Sequence, residues 1–336
     1  MARRCTRIRD ELADGCGRGQ DRSAGMTVRQ TLSELGIWAT GDLTLDPGTT
    51  MASPSWWGAD SERYSARAEV ADSGAGSAAY VKVMEPHARD YIDVAATFSA
   101  ATAAGDAGIG PSVFFSDAAS GVLVMEDFTG RCSTATLDLF DEDANVENLV
   151  ALRTSVHRLS GITRRASVFE DLAHVIGLVE KVGGLFPADF DWMLRTLAPA
   201  RVRIDGAGFD AVPCHGDGNV SNVLMLDDGG MRLVDWDVAA LMDPLQDIGA
   251  LLAEIRPFDT DAREVFEMMW GSFDSALFDR ARVYGIADSL RWALIGSYAD
   301  AMRPGTQEYS KFSDWQFLRA RAGLRDPHFD DRVRNI

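Results

Sequence analysis

A chain of 336 residues with 46% hydrophobic content is long enough for one large folded unit or two modest ones, and too apolar to be disordered throughout. Its net charge of -18, with no long basic run, argues against nucleic acid and against an anionic membrane surface as partners. The four cysteines (Cys5, Cys16, Cys132 and Cys214) are scattered without a C-x-x-C spacing, which points to reduced thiols in a cytoplasmic protein, and no stretch approaches a membrane span.

The first 25 residues are Arg-rich but lack the apolar core of a secretory signal. They are expected to form a disordered tail, with Met26 a candidate start of the folded protein. Residues 27–35 have helical spacing and stop at Gly36. Strand character follows at 43–45, 64–70 and 79–84, interrupted by a Trp56-Trp57-Gly58 segment and by a Gly/Ser-rich loop at 72–77. A helix is predicted at 87–104 and a strand pair at 112–115 and 121–125. The pattern breaks at Met125-Glu126-Asp127-Phe128-Thr129-Gly130: mostly β before, mostly helical after. This predicts a domain boundary at 126–130, between a part at 26–125 and a part at 131–336. In the second part the spacing is helical at 146–159, 170–182, 189–197, 243–255, 262–278, 280–301 and 312–322.

One stretch organises the rest. Pro213-Cys214-His215-Gly216-Asp217-Gly218-Asn219-Val220-Ser221-Asn222 leads into two short apolar runs joined by Asp227-Asp228-Gly229-Gly230, a β-hairpin pattern. The hairpin would bring Asp217 and Asn222 at its entry close to Asp235 at its exit. Two carboxylates and an amide oxygen are hard ligands suited to Mg²⁺ and a phosphate chain. Asp217 read alone is also a turn or cap residue, but that reading does not account for Asn222 and Asp235.

His215-x-Asp217-x-x-x-x-Asn222, followed by Asp235 and by Trp236-Asp237-Val238-Ala239 through Asp243-Pro244-Leu245-Gln246-Asp247-Ile248-Gly249, resembles the signature blocks of the kinase-like small-molecule phosphotransferases. These include aminoglycoside phosphotransferases, choline and ethanolamine kinases and thiamine-kinase-like proteins. The resemblance implies an α+β, protein-kinase-like two-lobed fold with a small antiparallel N-lobe sheet and a larger, mainly helical C-lobe. It implies ATP and Mg²⁺ bound between the lobes, Asp217 as catalytic base, and Asn222 and Asp235 as metal ligands. His215 and Asp247 are implied as structural supports of the loop. Lys82, which alone reads equally as an exposed strand residue, is implied to hold the phosphates and to pair with an acid on the next helix. The family's usual Glu is missing there; Asp90 and Asp93 are on offer, and Asp93 is preferred. No G-x-G-x-x-G is present, so Gly58 and Ser61 are taken as the phosphate-covering positions. Glu126 and Phe128, in the hinge that the resemblance implies at 126–130, are taken as the adenine contacts. Asp237, Trp292 and Trp315 are candidate substrate contacts, since aromatics with carboxylates can hold an ammonium; support of the metal's ligands is the other reading of Asp237, and core packing that of the two tryptophans and of His157. The expected reaction moves the γ-phosphate of ATP to a hydroxyl of a small cationic metabolite such as choline, ethanolamine or thiamine. An aminoglycoside phosphotransferase, an amino-sugar kinase and a catalytically silent nucleotide-binding module remain as alternatives.

Overall fold

The computed structural model describes residues 44–47, 60–68 and 77–336. The expected tail at 1–25, the helix at 27–35, Trp56, Trp57, Gly58 and most of the Gly/Ser loop lie outside the described residues.

The N-terminal lobe is a five-stranded antiparallel sheet. Its strands are β1 (Thr44–Pro47), β2 (Ser61–Ala68), β3 (Ser77–Met84), β4 (Val113–Asp117) and β5 (Val122–Glu126), in the order β1-β2-β3-β5-β4. Alternation explains how it is built. Tyr64, Ala66, Ala79, Val81, Val122 and Val124 bury one face together. The intervening residues Arg63, Ser65, Tyr80 and Lys82 therefore share the opposite face. The connection from β3 to β4 is not the single helix expected at 87–104. A short 3-10 turn at Pro86–Asp90 is followed by α1 (Val94–Asp106), because the Asp93 side chain accepts a hydrogen bond from the Ala96 N–H at 3.0 Å and starts a new helix there.

The larger lobe is mainly helical. It contains α2 (Asp143–Val156), α3 (Val168–Val182), α4 (Phe190–Ala207), α5 (Pro244–Ile255), α6 (Asp259–Trp270), α7 (Ser275–Met302), α8 (Tyr309–Leu324) and α9 (Phe329–Asn335). At 28 residues α7 runs about 42 Å. It is the axis of the lobe: Tyr284, Leu290, Leu294 and Tyr298 are all within 2% of full burial, packed under the neighbouring helices. The helix expected at 262–278 is two helices, because Gly271 takes a left-handed φ of 93° and Asp274 caps the next with bonds to the Ala276 and Leu277 N–H groups. Pro199 does not end α4, which continues to Ala207.

Small strands frame the organising stretch. β6 (Cys132–Thr134), β8 (Val223–Leu226) and β9 (Met231–Leu233) form one antiparallel sheet; β7 (Val212–Cys214) and β10 (Ala240–Met242) form a second. The expected hairpin is β8–β9, closed by a turn in which Gly229 has φ 86° and Asp228 accepts from the Gly230 N–H. Among the described residues no helix is long and apolar enough to cross a membrane.

Candidate active site

The loop from β7 to β8 is pinned from beneath. Asp247 on α5 is fully buried, and its Oδ1 accepts the Gly216 N–H at 2.7 Å and the Arg153 Nη2 at 2.8 Å. Arg153, on α2, also donates from Nη1 to the carbonyl of Asp217. His157 Nε2 lies 3.3 Å from Asp247 Oδ2. Burial acts to raise the Asp247 carboxyl, but the Arg153 guanidinium, His157 and the Gly216 N–H together outweigh it and hold the group well below the usual carboxylate range. His157, Cys214 and Asp247 place potential ligand atoms within 4.8 Å of one another. Asp247 is already committed to Arg153 and Gly216, so this cluster reads as loop support. His215 donates from Nε2 to the Val234 carbonyl at 3.0 Å and packs edge-on against Trp236. Burial pushes its imidazole down to about 4, so it is neutral at pH 7, as suits a packing residue.

The two glycines beside Asp217 have separate reasons. Gly216 has φ 80°. A Cβ on Gly218 would lie 2.0 Å from the Ala250 carbonyl oxygen, so only Gly lets the loop approach α5 this closely. Asp217 is thereby presented with its Oδ1 accepting the Asn219 N–H at 2.9 Å and its Oδ2 accepting Asn222 Nδ2 at 2.8 Å. Burial pushes its carboxyl up to about 7, with the negative charges of Asp288 and Asp235 adding to the effect.

Asp235 follows β9 and has φ 67°, a left-handed value held by no other non-glycine residue among those described. Such strain is retained where the surroundings over-determine it. Here Lys82 Nζ approaches Asp235 Oδ1 at 2.6 Å and Arg63 Nη2 approaches Oδ2 at 3.1 Å. Lys82 also donates to both oxygens of Asp237 at 2.8 Å. The Lys82 and Arg63 charges overcome burial and hold Asp235 far below its ordinary value, whereas burial and the Asp235 charge push Asp237 up. Carboxylate oxygens of Asp60, Asp235 and Asp237 lie within 4.8 Å of one another. With the Asn222 amide nitrogen engaged by Asp217, its oxygen is the atom left for a cation. This all-oxygen donor set fits Mg²⁺.

Asp93 is not the partner of Lys82. It is an exposed helix cap on α1, and the acids at Lys82 are Asp235 and Asp237 across the cleft. Asp93→Ala should therefore cost about 1 kcal/mol in denaturant unfolding and leave nucleotide affinity unchanged. Asp90 accepts from the Tyr298 hydroxyl instead. Ser61 is buried with its hydroxyl on Asp60 at 3.2 Å. Glu126 is paired with Arg131 at 3.4 Å, and Phe128 lies under the same guanidinium. None of these three lines the cavity described next.

A cavity of about 630 Å³ opens beside Asp217, within the usual range for a small-molecule site. Asp60, Arg63, Asn222, Asp235 and Asp237 line one part of it; Glu254, Asp288, Trp292, Phe312 and Trp315 also line it. Trp292 and Phe312 meet edge-to-face with centroids 6.4 Å apart, and Trp315 is half exposed. Glu254 is paired with Arg319 at 3.1 Å, and Asp288 with Arg291. Asp237 lines the cavity, but both its oxygens are turned to Lys82. Arg63, Arg153, Glu254 and Asp288 were not singled out from the sequence, nor was any role given to Arg291. The i, i+3 spacing of Asp288 and Arg291, next to Trp292, was the available signal for the last pair.

The APH model, described as the phosphotransferase enzyme family, matches residues 58–286. No curated protein sequence matches the chain. Three solved structures are similar in fold. A choline/ethanolamine kinase family protein from Mesorhizobium loti is 20% identical, with a TM-score of 0.72, covering 93% of this chain and 98% of its own. Choline kinase LicA from Streptococcus pneumoniae is 16% identical, TM-score 0.69, covering 90% and 99%. APH(2")-IIIa, in a complex with GDP and kanamycin, is 12% identical, TM-score 0.57, covering 88% and 98%.

Proposed function

The chain belongs to the phosphotransferase enzyme family, and from that premise we propose that it transfers the γ-phosphoryl group of ATP to the hydroxyl of a small cationic alcohol of the choline, ethanolamine or thiamine kind. The observation that carries this reading is one cavity lined both by Asp217, Asn222 and Asp235 and by an acid-and-aromatic wall of Glu254, Asp288, Trp292, Phe312 and Trp315.

Mg²⁺ bound with the nucleotide would neutralise charge building on the transferring phosphoryl group. Asp235 and Asn222 are the residues that would hold it, with Asp237 beside them. Lys82 supplies a fixed cation for the phosphate chain. Asp217 orients the acceptor hydroxyl by accepting its hydrogen bond, and takes its proton as the new O–P bond forms and the bond to the leaving ADP breaks. A carboxyl poised near neutrality suits that task better than an ordinary one. Trp292, Phe312 and Trp315 offer ring faces to an ammonium group, and Glu254 and Asp288 offer negative charge.

An acceptor panel of choline, ethanolamine, thiamine, kanamycin and 3,3-dimethylbutanol, read by ADP release, tests this. Choline and its uncharged isostere 3,3-dimethylbutanol have nearly the same shape, so a site built for cations should favour choline in kcat/KM by about tenfold or more. Equal turnover of the two would refute the cationic acceptor. Turnover of kanamycin alone would move the assignment to an antibiotic-modifying enzyme. Asp235→Ala should lower the affinity for Mg·ATP by at least about tenfold in calorimetry while leaving the fold intact.

A further inference from the structure

The phosphate end of the cleft holds a second cation that the motifs do not contain. Arg63 on β2 stands directly opposite Lys82 on β3 in the antiparallel register. Opposed residues share a face, so both side chains enter the cleft together. Each caps one oxygen of Asp235: Lys82 at 2.6 Å and Arg63 at 3.1 Å. Arg63 also lies 3.8 Å from Asp60, its side chain is only 10% exposed, and it lines the cavity with Asp217 and Asn222. Three carboxylates (Asp60, Asp235, Asp237) thus face two cations.

A divalent metal on Asp235 would draw on the same carboxylate oxygens to which Arg63 and Lys82 now donate. Metal binding competes with both for that carboxylate, and a largely buried guanidinium that loosens from Asp235 gains from an added anion. The metal's own phosphates are the nearest anions brought in. A planar guanidinium matches a phosphate with paired hydrogen bonds, which an ammonium does not. No G-x-G-x-x-G motif precedes β2 in the sequence. We propose that Arg63 is a phosphate-binding residue, which exchanges Asp235 for the β- and γ-phosphates when the metal–nucleotide enters. This rests on the nucleotide reading above. It gives the N-terminal lobe a side-chain clamp on the phosphates, and makes Arg63 a tie between the lobes before nucleotide binds.

The test is equilibrium binding of AMP, ADP and ATP with Mg²⁺ to the whole chain and to Arg63→Met and Arg63→Lys, with thermal unfolding to confirm that each variant is folded. Arg63→Met should weaken ATP and ADP by about tenfold or more and AMP by less than about twofold, since loss of a charge-assisted bond falls only on the distal phosphates. Arg63→Lys should recover part of the loss. An equal loss for all three nucleotides, or none, would show that Arg63 only ties the lobes together and would overturn the assignment. A wild-type chain that binds none of the three would instead overturn the nucleotide reading, and this assignment with it. If Arg63→Met fails to fold, the ATP-to-AMP affinity ratio of Arg63→Lys decides: an unchanged ratio rejects the proposal.

Discussion

Asp217→Asn is expected to lower kcat by about 10³-fold, the usual scale for losing a positioned base, while Mg·ATP affinity changes little. The same substitution should make the protein more stable. Burial raises the Asp217 carboxyl to about 7, so the folded state resists ionising it. The sign follows from the direction of the shift. Below the ordinary carboxylate pKa both states are protonated and the group costs nothing; as pH rises through about 7 the stability is lost in full. Asparagine removes the charge but keeps most of the shape, so the variant should gain on the order of a few kcal/mol over wild type at pH 8 and nothing at pH 3. A catalytic group held in a destabilising environment shows both effects; a turn residue buried in the same place would show the pH-dependent gain without the loss of turnover. Thermal unfolding of the two proteins across pH, beside a kcat measurement, separates the readings.

The second large effect concerns the pair beneath the loop. Arg153 and Asp247 are almost wholly buried and carry one another's charge. Removing one leaves the other buried and uncompensated, which costs about 3–5 kcal/mol. Arg153→Met or Asp247→Asn should therefore lower Tm by roughly 5 °C. Because Asp247 is held below the carboxylate range, its contribution is present above about pH 4 and is lost as pH falls further, so wild type and Asp247→Asn should converge in acid. Asp247 also holds the Gly216 N–H, and Arg153 the Asp217 carbonyl. Variants that remain folded at low temperature should accordingly show reduced kcat with unchanged nucleotide affinity, the mark of a displaced base. A fall in Tm with full kcat would limit the pair to a structural role.

Much of the site was readable because its residues are close in sequence. Asp217 and Asn222 are five apart, the hairpin turn has its own chemistry in Asp228 and Gly229, and Asp243-Pro244 reads directly as a helix start, which Asp243 caps through the Leu245 N–H. The two-lobed α+β fold was legible for a similar reason, since the change from period-2 to helical spacing near 126 is local. What escaped was tertiary. Arg63 meets Asp235 across 172 positions, and Arg153 meets Asp247 across 94. Neither arginine carries a mark distinguishing it from a surface residue. Asp93 was misjudged because a cap and a charge partner look alike until the helix start is known; its bond to Ala96 fixes that start. The single helix expected at 262–278 failed at Gly271, where a left-handed φ ended a continuous apolar pattern. Trp292 and Trp315 had the right composition for a cation site, but only the packing of α7 against α8 put them on the wall that Asp217 also lines.

In the proposed reaction Asp217 presents a substrate hydroxyl to a phosphoryl group whose Mg²⁺ Asn222 and Asp235 would hold. It is tested most directly with γ-³²P-labelled ATP, Mg²⁺ and choline. The account predicts label in a phosphate monoester of the alcohol, abolished by EDTA and reduced about 10³-fold in Asp217→Asn. Label that stays in ATP or appears only as inorganic phosphate with every alcohol offered, or a monoester formed equally well by Asp217→Asn, would contradict it.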